Sequence, residues 1–370
     1  MAITMAITGR KEVREAPWFS RNCGSRTVAI AVAMCCVLAT GTPLAGGGVA
    51  ADDPGERRFC SATTLAQFEA CGYETLDDFF VAKAKCINVS NGDERKECFD
   101  TAREERTEAN QLCRAQRAQR LEICGELGEA RYDPAFDPAD FDSDYHNLTN
   151  PNPYFPLTIG YRWDYGGSLE TNTIVALDET KLIEGVTCIV LNDKRYEDSL
   201  LVEDTDDWYG QRKDGTVDFC GEAVSNFETF PEDNPARPER LNTDGQWKTG
   251  REGDPSGTYI LGSPRLGDVH RSEFSPGNAE DTVRYLSTSY GYGSDPVLDR
   301  HVPRDLVDLF CGDHDCLVSG ENTGLEPGTF QHKYYARGVG FILGVDLETG
   351  ESVQLVGCNF DPRCAGLPTP

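Results

Sequence analysis

Residues 60–124 read CSATTLAQFEACGYETLDDFFVAKAKCINVSNGDERKECFDTAREERTEANQLCRAQRAQRLEIC, and the cysteines in this stretch form a palindrome. Cys60, Cys71, Cys86, Cys98, Cys113 and Cys124 are separated by 11, 15, 12, 15 and 11 residues. The nested pairs 60 with 124, 71 with 113 and 86 with 98 therefore share one mirror point, Gly92, inside the turn-like Ser90-Asn91-Gly92-Asp93. A helical hairpin folded at that glycine opposes all three pairs and predicts three disulfides across two antiparallel helices.

The second helix, expected from Asp93 to Gly128, holds no proline and is charged along most of its length. Its thin apolar seam is Cys98, Ala102, Ala109, Cys113, Leu121 and Cys124, at near-helical spacing. Packed helices usually lie about 8 to 10 Å apart, whereas a disulfide needs Cα atoms about 5.5 to 6 Å apart, so small neighbours such as Ala82 opposite Ala102 help the chains approach. Each staple contributes about 2 to 4 kcal/mol by constraining the unfolded chain, in place of a core this composition lacks. Metal binding is disfavoured, because the thiols are spread along the helices without paired CxxC spacing.

The hairpin is preceded by a 14-residue apolar run, residues 27–40, behind Arg10, Lys11, Arg14, Arg21 and Arg26. Such a run is short for a bilayer and reads as a signal peptide over residues 1–50, with small residues 45–51 offering cleavage positions. No lipobox precedes Cys35 or Cys36. Cleavage removes five basic and two acidic residues and takes the formal charge from −27 to −30. It also leaves an even twelve of the 15 cysteines, as an oxidising compartment, secreted or periplasmic, would require. So acidic a chain disfavours nucleic acid and anionic membrane surfaces as partners, and favours cations or basic partners, although solubility alone would also account for it.

Composition changes near residue 130. The reading is α+β: a stapled hairpin over 57–128, an Asp/Pro-rich linker over 129–156, and a mainly antiparallel β domain over 157–370, either a curved meander sheet or barrel-like. The strands are expected at 160–165, 172–177, 187–192, 200–209, 217–220, 258–261, 281–287, 330–336, 340–345 and 352–356, with residues 232–264 as a long excursion. Cys188 and Cys220 lie in expected strands and could be partners. Cys311, Cys316, Cys358 and Cys364 allow three connectivities, of which the local pairs are the simplest.

The richest polar stretch runs from Glu203 to Glu222. If residues 201–211 are a strand, Glu203, Asp207, Tyr209 and Gln211 share one face. Were that face interior, its carboxylates would need a cation, a basic ligand or an internal arginine such as Arg271; solvated strand residues are the plain alternative. A second acidic cluster, Glu273 with Glu280 and Asp281, follows His270 and Arg271. Paired carboxylates could serve a glycosidase, but so acidic a chain supplies such pairs by chance. Asp140-Phe-Asp142-Ser-Asp144 imitates a calcium loop and then fails, with Tyr145 where glycine is required and Pro151 where a bidentate glutamate should stand; a solvated linker explains it better. His314 between Asp313 and Asp315 more simply belongs to a small disulfide loop. No HExxH, CxxCH or GxSxG occurs.

Residues Asn152-Pro153-Tyr154-Phe155-Pro156-Leu157-x-x-Gly160-x-x-Trp163-x-Tyr165, the Glu203–Glu222 block, Ala279-Glu280-Asp281 and Tyr335-x-x-Gly338-Val339-Gly340 resemble a family of exported bacterial proteins over residues 150–357. The resemblance implies a secreted β domain and carries no activity, ligand or catalytic residue with it. The family has an Asn-Val-Trp-Tyr-Phe-Gly-Glu-like run where this chain has Thr216-Val217-Asp218-Phe219-Cys220-Gly221-Glu222, which marks Cys220 as needing a partner, Cys188. The expectation is an exported, non-catalytic binding or envelope-associated protein. Glu203, Asp207, Tyr209, Gln211 and Glu222 would contact a small ligand or a cation such as Ca2+, with Arg271, Glu273, Glu280 and Asp281 as a supporting shell and an envelope protein as a further partner. No cofactor is expected. A carbohydrate-active hydrolase and a purely structural surface protein are the alternatives.

Overall fold

The computed structural model describes residues 58–167 and 170–368; the expected signal peptide lies outside the described residues. Two long helices open the structure, α1 (Phe59–Ile87) and α2 (Gly92–Leu127), joined by a turn at the expected mirror point. The Asn91 side chain accepts from the backbone N–H groups of Asp93 and Glu94, and both acids sit in the first turn where the helix dipole favours them. Gly128 ends α2 at φ 84°. All three palindromic disulfides form, with Cα separations of 5.7, 5.9 and 5.5 Å for Cys60–Cys124, Cys71–Cys113 and Cys86–Cys98. Ala102 is buried in the seam as expected, but Leu121 is exposed and Ile123 is buried instead.

The open end of the hairpin docks on the β domain through polar contacts. Arg120 forms a buried bidentate pair with Glu280, at 2.7 and 3.1 Å. Gln67 donates to the same carboxylate, Gln116 donates to Leu325 O, and Arg284 pairs with Glu126 at 3.1 Å. A buried pair of this kind fixes orientation more than it stabilises, because both charges lose their water.

Fourteen strands follow among the described residues. They are β1 (Arg162–Gly167), β2 (Glu170–Ile183), β3 (Val186–Glu197), β4 (Leu200–Gln211), β5 (Val217–Thr229), β6 (Pro238–Asn242), β7 (Trp247–Lys248), β8 (Gly257–Ile260), β9 (Val269–Arg271), β10 (Asp281–Tyr290), β11 (Cys316–Thr323), β12 (Gln331–Ala336), β13 (Gly340–Asp346) and β14 (Ser352–Cys358). All pairings among them are antiparallel, in the order β6-β5-β4-β3-β2-β1-β14-β13-β12-β11-β10-β9, with β7 and β8 also pairing with β5. The meander is interrupted where β1 pairs with β14, which brings the two halves of the domain into one sheet. The ladder does not close, but the sheet curls until its ends approach. A β-carbon on Gly257 in β8 would lie 1.7 Å from Ser272 O just after β9, and Leu261 N, after β8, donates to the Tyr285 hydroxyl on β10.

The excursion expected over 232–264 contributes β6, β7 and β8 rather than leaving the sheet. A short helix, α3 (Arg304–Cys311), lies between β10 and β11 and buries Leu306, Val307 and Phe310. Residues 129–156 form little regular structure, yet they are not a solvated linker. Phe141, Tyr145, Tyr154 and Phe155 are buried, and Tyr145 OH donates to Tyr209 O at 2.7 Å. Phe141 completes an outer core with Ile183, Val186, Cys188, Val190, Trp208 and Cys220. Residues 129–156 thus form a strap across the sheet, and the aspartates of the calcium-like motif do not converge: Asp140 pairs with Arg212 at 3.6 Å, Asp142 accepts from Thr149 N and Oγ1, and Asp144 accepts from His146 N.

Cys188 is joined to Cys220, but β3 and β5 are not neighbours; the bridge spans β4 over its outer face. Cys311–Cys316 and Cys358–Cys364 are the local pairs.

Candidate functional site

Directly opposed residues in an antiparallel pair share a face, so the strand registers show what lines the concave side of the curl. On β3 and β4 the opposed pairs Ile189–Tyr209, Leu191–Asp207, Asp193–Thr205 and Arg195–Glu203 continue one another along that side. Asp207 is then opposite Glu222 on β5, and Glu222 is opposite Trp247 on β7. From the other half of the sheet, β10 presents Asp281, β11 presents Glu321, and β12 presents Lys333 and Tyr335. The polar stripe expected on β4 is therefore interior.

This face is acidic and aromatic together. Asp193, Asp207 and Glu273 are buried, and Glu222, Asp281 and Glu321 are half-buried. Lys333 is committed to Glu321 at 2.6 Å, and that carboxylate also accepts from Ser319 Oγ and Tyr335 OH. Arg195 lies at the rim between Glu170 and Glu203, at 3.4 and 3.2 Å. Asp207 and Glu222 hydrogen-bond each other.

Burial is the main reason these carboxyls titrate high, and mutual repulsion adds to it. Asp207 is pushed up to about 6 by burial, with Glu203 and Asp206 contributing. Glu222 and Glu273 lie well above the ordinary range, by burial and then by the neighbouring carboxylates Glu273 and Asp281 respectively. Asp193 is raised in the same way, beside Asp207 and Glu203. Burial takes Asp281 to about 6, although Lys333 holds it down.

Tyr209 is fully buried, stacked on Phe219 at 4.8 Å and edge-on to Phe155 and Tyr259. Among the described residues its hydroxyl has no hydrogen-bond partner, and neither has the indole N–H of Trp247, which is 1 % exposed. A carboxyl-rich face bordered by π-systems suits a positively charged organic group, which carboxylates and ring faces both attract. Among the described residues no group of three or more His, Cys, Asp or Glu side chains is placed to hold a metal ion.

Glu203, Asp207, Tyr209, Glu222, Glu273 and Asp281 are thus brought to one face, whereas three other expected residues are elsewhere. Gln211 is a tie for the strap: its Nε2 donates to Arg212 O, and its Oε1 accepts from Asn152 N. Glu280 is held by Arg120 of the hairpin. Arg271 packs over Phe274 at 4.1 Å and near Cys60, against the hairpin, so it is not the internal partner of the β4 stripe. Between them lies a void of about 10 Å³, lined by Cys60, Gln67, Arg120, Arg271 and Glu280, room for a single water. Sequence reasoning missed Asp193, Glu321, Lys333, Tyr259 and Trp247. For Asp193 a signal existed, since Ile189, Leu191 and Asp193 alternate with period two.

No family profile matches the chain, and no curated protein matches it. One solved structure similar to part of the chain is a Parabacteroides distasonis protein provisionally classed as a lipoprotein. It is 10% identical with a TM-score of 0.27, over 56% of this chain and 99% of that one. A likeness that weak carries no argument.

Proposed function

We propose that this chain is an exported, non-catalytic binding protein of the cell envelope or its surroundings, whose β domain holds a small cationic organic ligand on the concave acidic face. The observation that carries this reading is the gathering of Asp193, Asp207, Glu222, Glu273 and Asp281 on one face of the sheet, beside the rings of Tyr209, Trp247 and Tyr259. A ligand bearing an ammonium or guanidinium group would let these carboxyls ionise inside the sheet. Export is supported by six disulfides among the described residues, which persist in oxidising compartments. The stapled hairpin is then a rigid arm.

Calorimetry of the disulfide-bonded protein against spermidine, arginine, lysine and choline, with calcium and magnesium chloride alongside, tests the reading. Binding of an organic cation should strengthen from pH 5 to pH 8 and release protons, because the ligand favours the ionised carboxyls. Asp207→Asn and Glu222→Gln should each weaken it about tenfold or more. Heat with calcium alone would shift the assignment to a metal, and no heat with any of these probes would sink it.

A further inference from the structure

α1 carries an apolar face that is exposed along most of its length in the described structure, with Gly72, Leu76 and Lys83 partly buried within it. Leu65, Glu69, Gly72, Leu76, Phe80, Lys83 and Ile87 follow steps of four, three, four, four, three and four residues, which places them on one side of a helix. That side lies away from the disulfide seam of Cys71, Thr75 and Cys86 and from Gln67, which reaches the β domain. Leu65 is 48%, Phe80 55% and Ile87 67% exposed, and Tyr73 beside them is 74% exposed.

The pattern reads the same in both directions about Leu76. Residues 65 and 87, 69 and 83, and 72 and 80 each flank it symmetrically. We infer that this face is the interface of a twofold homodimer in which two α1 helices pack antiparallel with Leu76 on the axis. In that register Leu65 meets the second copy's Ile87, and Glu69 meets its Lys83, an attractive pair formed twice. Phe80 meets Gly72, where a β-carbon would find no atom within 4 Å, so the glycine leaves a notch the ring can enter. Lys83 already lies 5.0 Å from its own Phe80 ring, which places its charge at the edge of the apolar strip. The matched charges of Glu69 and Lys83 and the fit of Phe80 to Gly72 make the face self-complementary, as a closed isologous contact requires. The side chains offer roughly 600 Å² per copy, the low end of specific interfaces, so a dissociation constant in the micromolar range is expected.

The inference is independent of the ligand reading, since the acidic face is in the other domain. Sedimentation of the full disulfide-bonded chain up to about 100 μM should show a reversible dimer. Glu69→Lys and Lys83→Glu should each weaken it about tenfold, and the double variant should restore it. Gly72→Leu should stabilise the helix of the monomer, glycine being a poor helix former, yet abolish the dimer by filling the notch. A monomer throughout overturns the inference, whether the face is bare, covered by residues before 58 or reserved for another protein. So does a dimer indifferent to the charge swaps, or a double swap that fails to restore it.

Discussion

Gly210 on β4 lies beneath the Cys188–Cys220 bridge. A β-carbon there would sit 2.9 Å from the Phe141 ring and 3.3 Å from Cys220 Sγ, so only a residue without a side chain lets both the disulfide and the strap's aromatic cross the strand. Gly210→Ala should cost about 1–3 kcal/mol in urea unfolding with the bridge intact; an unchanged midpoint would show that the strap yields. Lys333 and Glu321 teach a different lesson. Nothing in the sequence sets residue 333 beside residue 321, because strand register is fixed by packing over the whole sheet. Lys333→Met should cost about 3–5 kcal/mol by leaving Glu321 buried without its cation, and adding Glu321→Leu should recover much of that loss. Denaturation of the two variants side by side separates this from mere loss of packing, which the double variant would not mend.

Among the elements, the hairpin was legible because covalent spacing is arithmetic: the turn, both helices and the three bridges follow from one mirror point. The sheet was legible in part. β11 reads Cys-Leu-Val-Ser-Gly-Glu-Asn-Thr, a composition that suggests a turn, but Gly320 leaves room for the Phe330 ring and Ser319 and Glu321 face the acidic side. The strap was read as solvated from its Asp and Pro content, while its sparse aromatics decide its place. Residues of the motifs singled out in the sequence act as clasps: Trp163 Nε1 donates to Val339 O, Gly338 N donates to Pro153 O, and Asn152 Nδ2 donates to Gly215 O. The acidic face needed the curl, which brings β10, β11 and β12 opposite β4. Within the hairpin, stapling should be graded. Cys86–Cys98 closes a separation of 12 residues and Cys60–Cys124 one of 64, so opening the first should free the tip locally and opening the second should cost more overall. Hydrogen exchange of the Cys86→Ser/Cys98→Ser variant should quicken around residues 84–100 and leave the sheet unchanged; exchange spreading into the sheet would show that the tip braces the whole arm.

For the whole molecule, the acidic face makes pH the main control on stability. A carboxyl whose pKa is higher in the folded than in the unfolded state takes up a proton on folding. Its contribution is complete below the ordinary carboxylate range near 4, and it is lost as pH rises through the folded value. Asp207 and Asp281, at about 6, therefore lose theirs between roughly pH 4 and 6, and Glu222, Glu273 and Asp193 extend the loss upward. A formal charge of −27 works in the same direction, since repulsion in a compact acidic chain grows as carboxyls ionise. The ligand-free protein should thus melt at higher temperature at pH 5 than at pH 8. Asp207→Asn with Glu222→Gln should raise the melting temperature at pH 8 and flatten the profile, because an amide keeps the hydrogen bond without the buried charge. Added salt should narrow the gap less than surface repulsion alone would allow, since buried carboxyls are poorly screened. Thermal unfolding of parent and double variant from pH 4 to 9 checks all of this, and a parent that grows more stable toward pH 8 would mean that the concave carboxyls are ionised and compensated in the free protein.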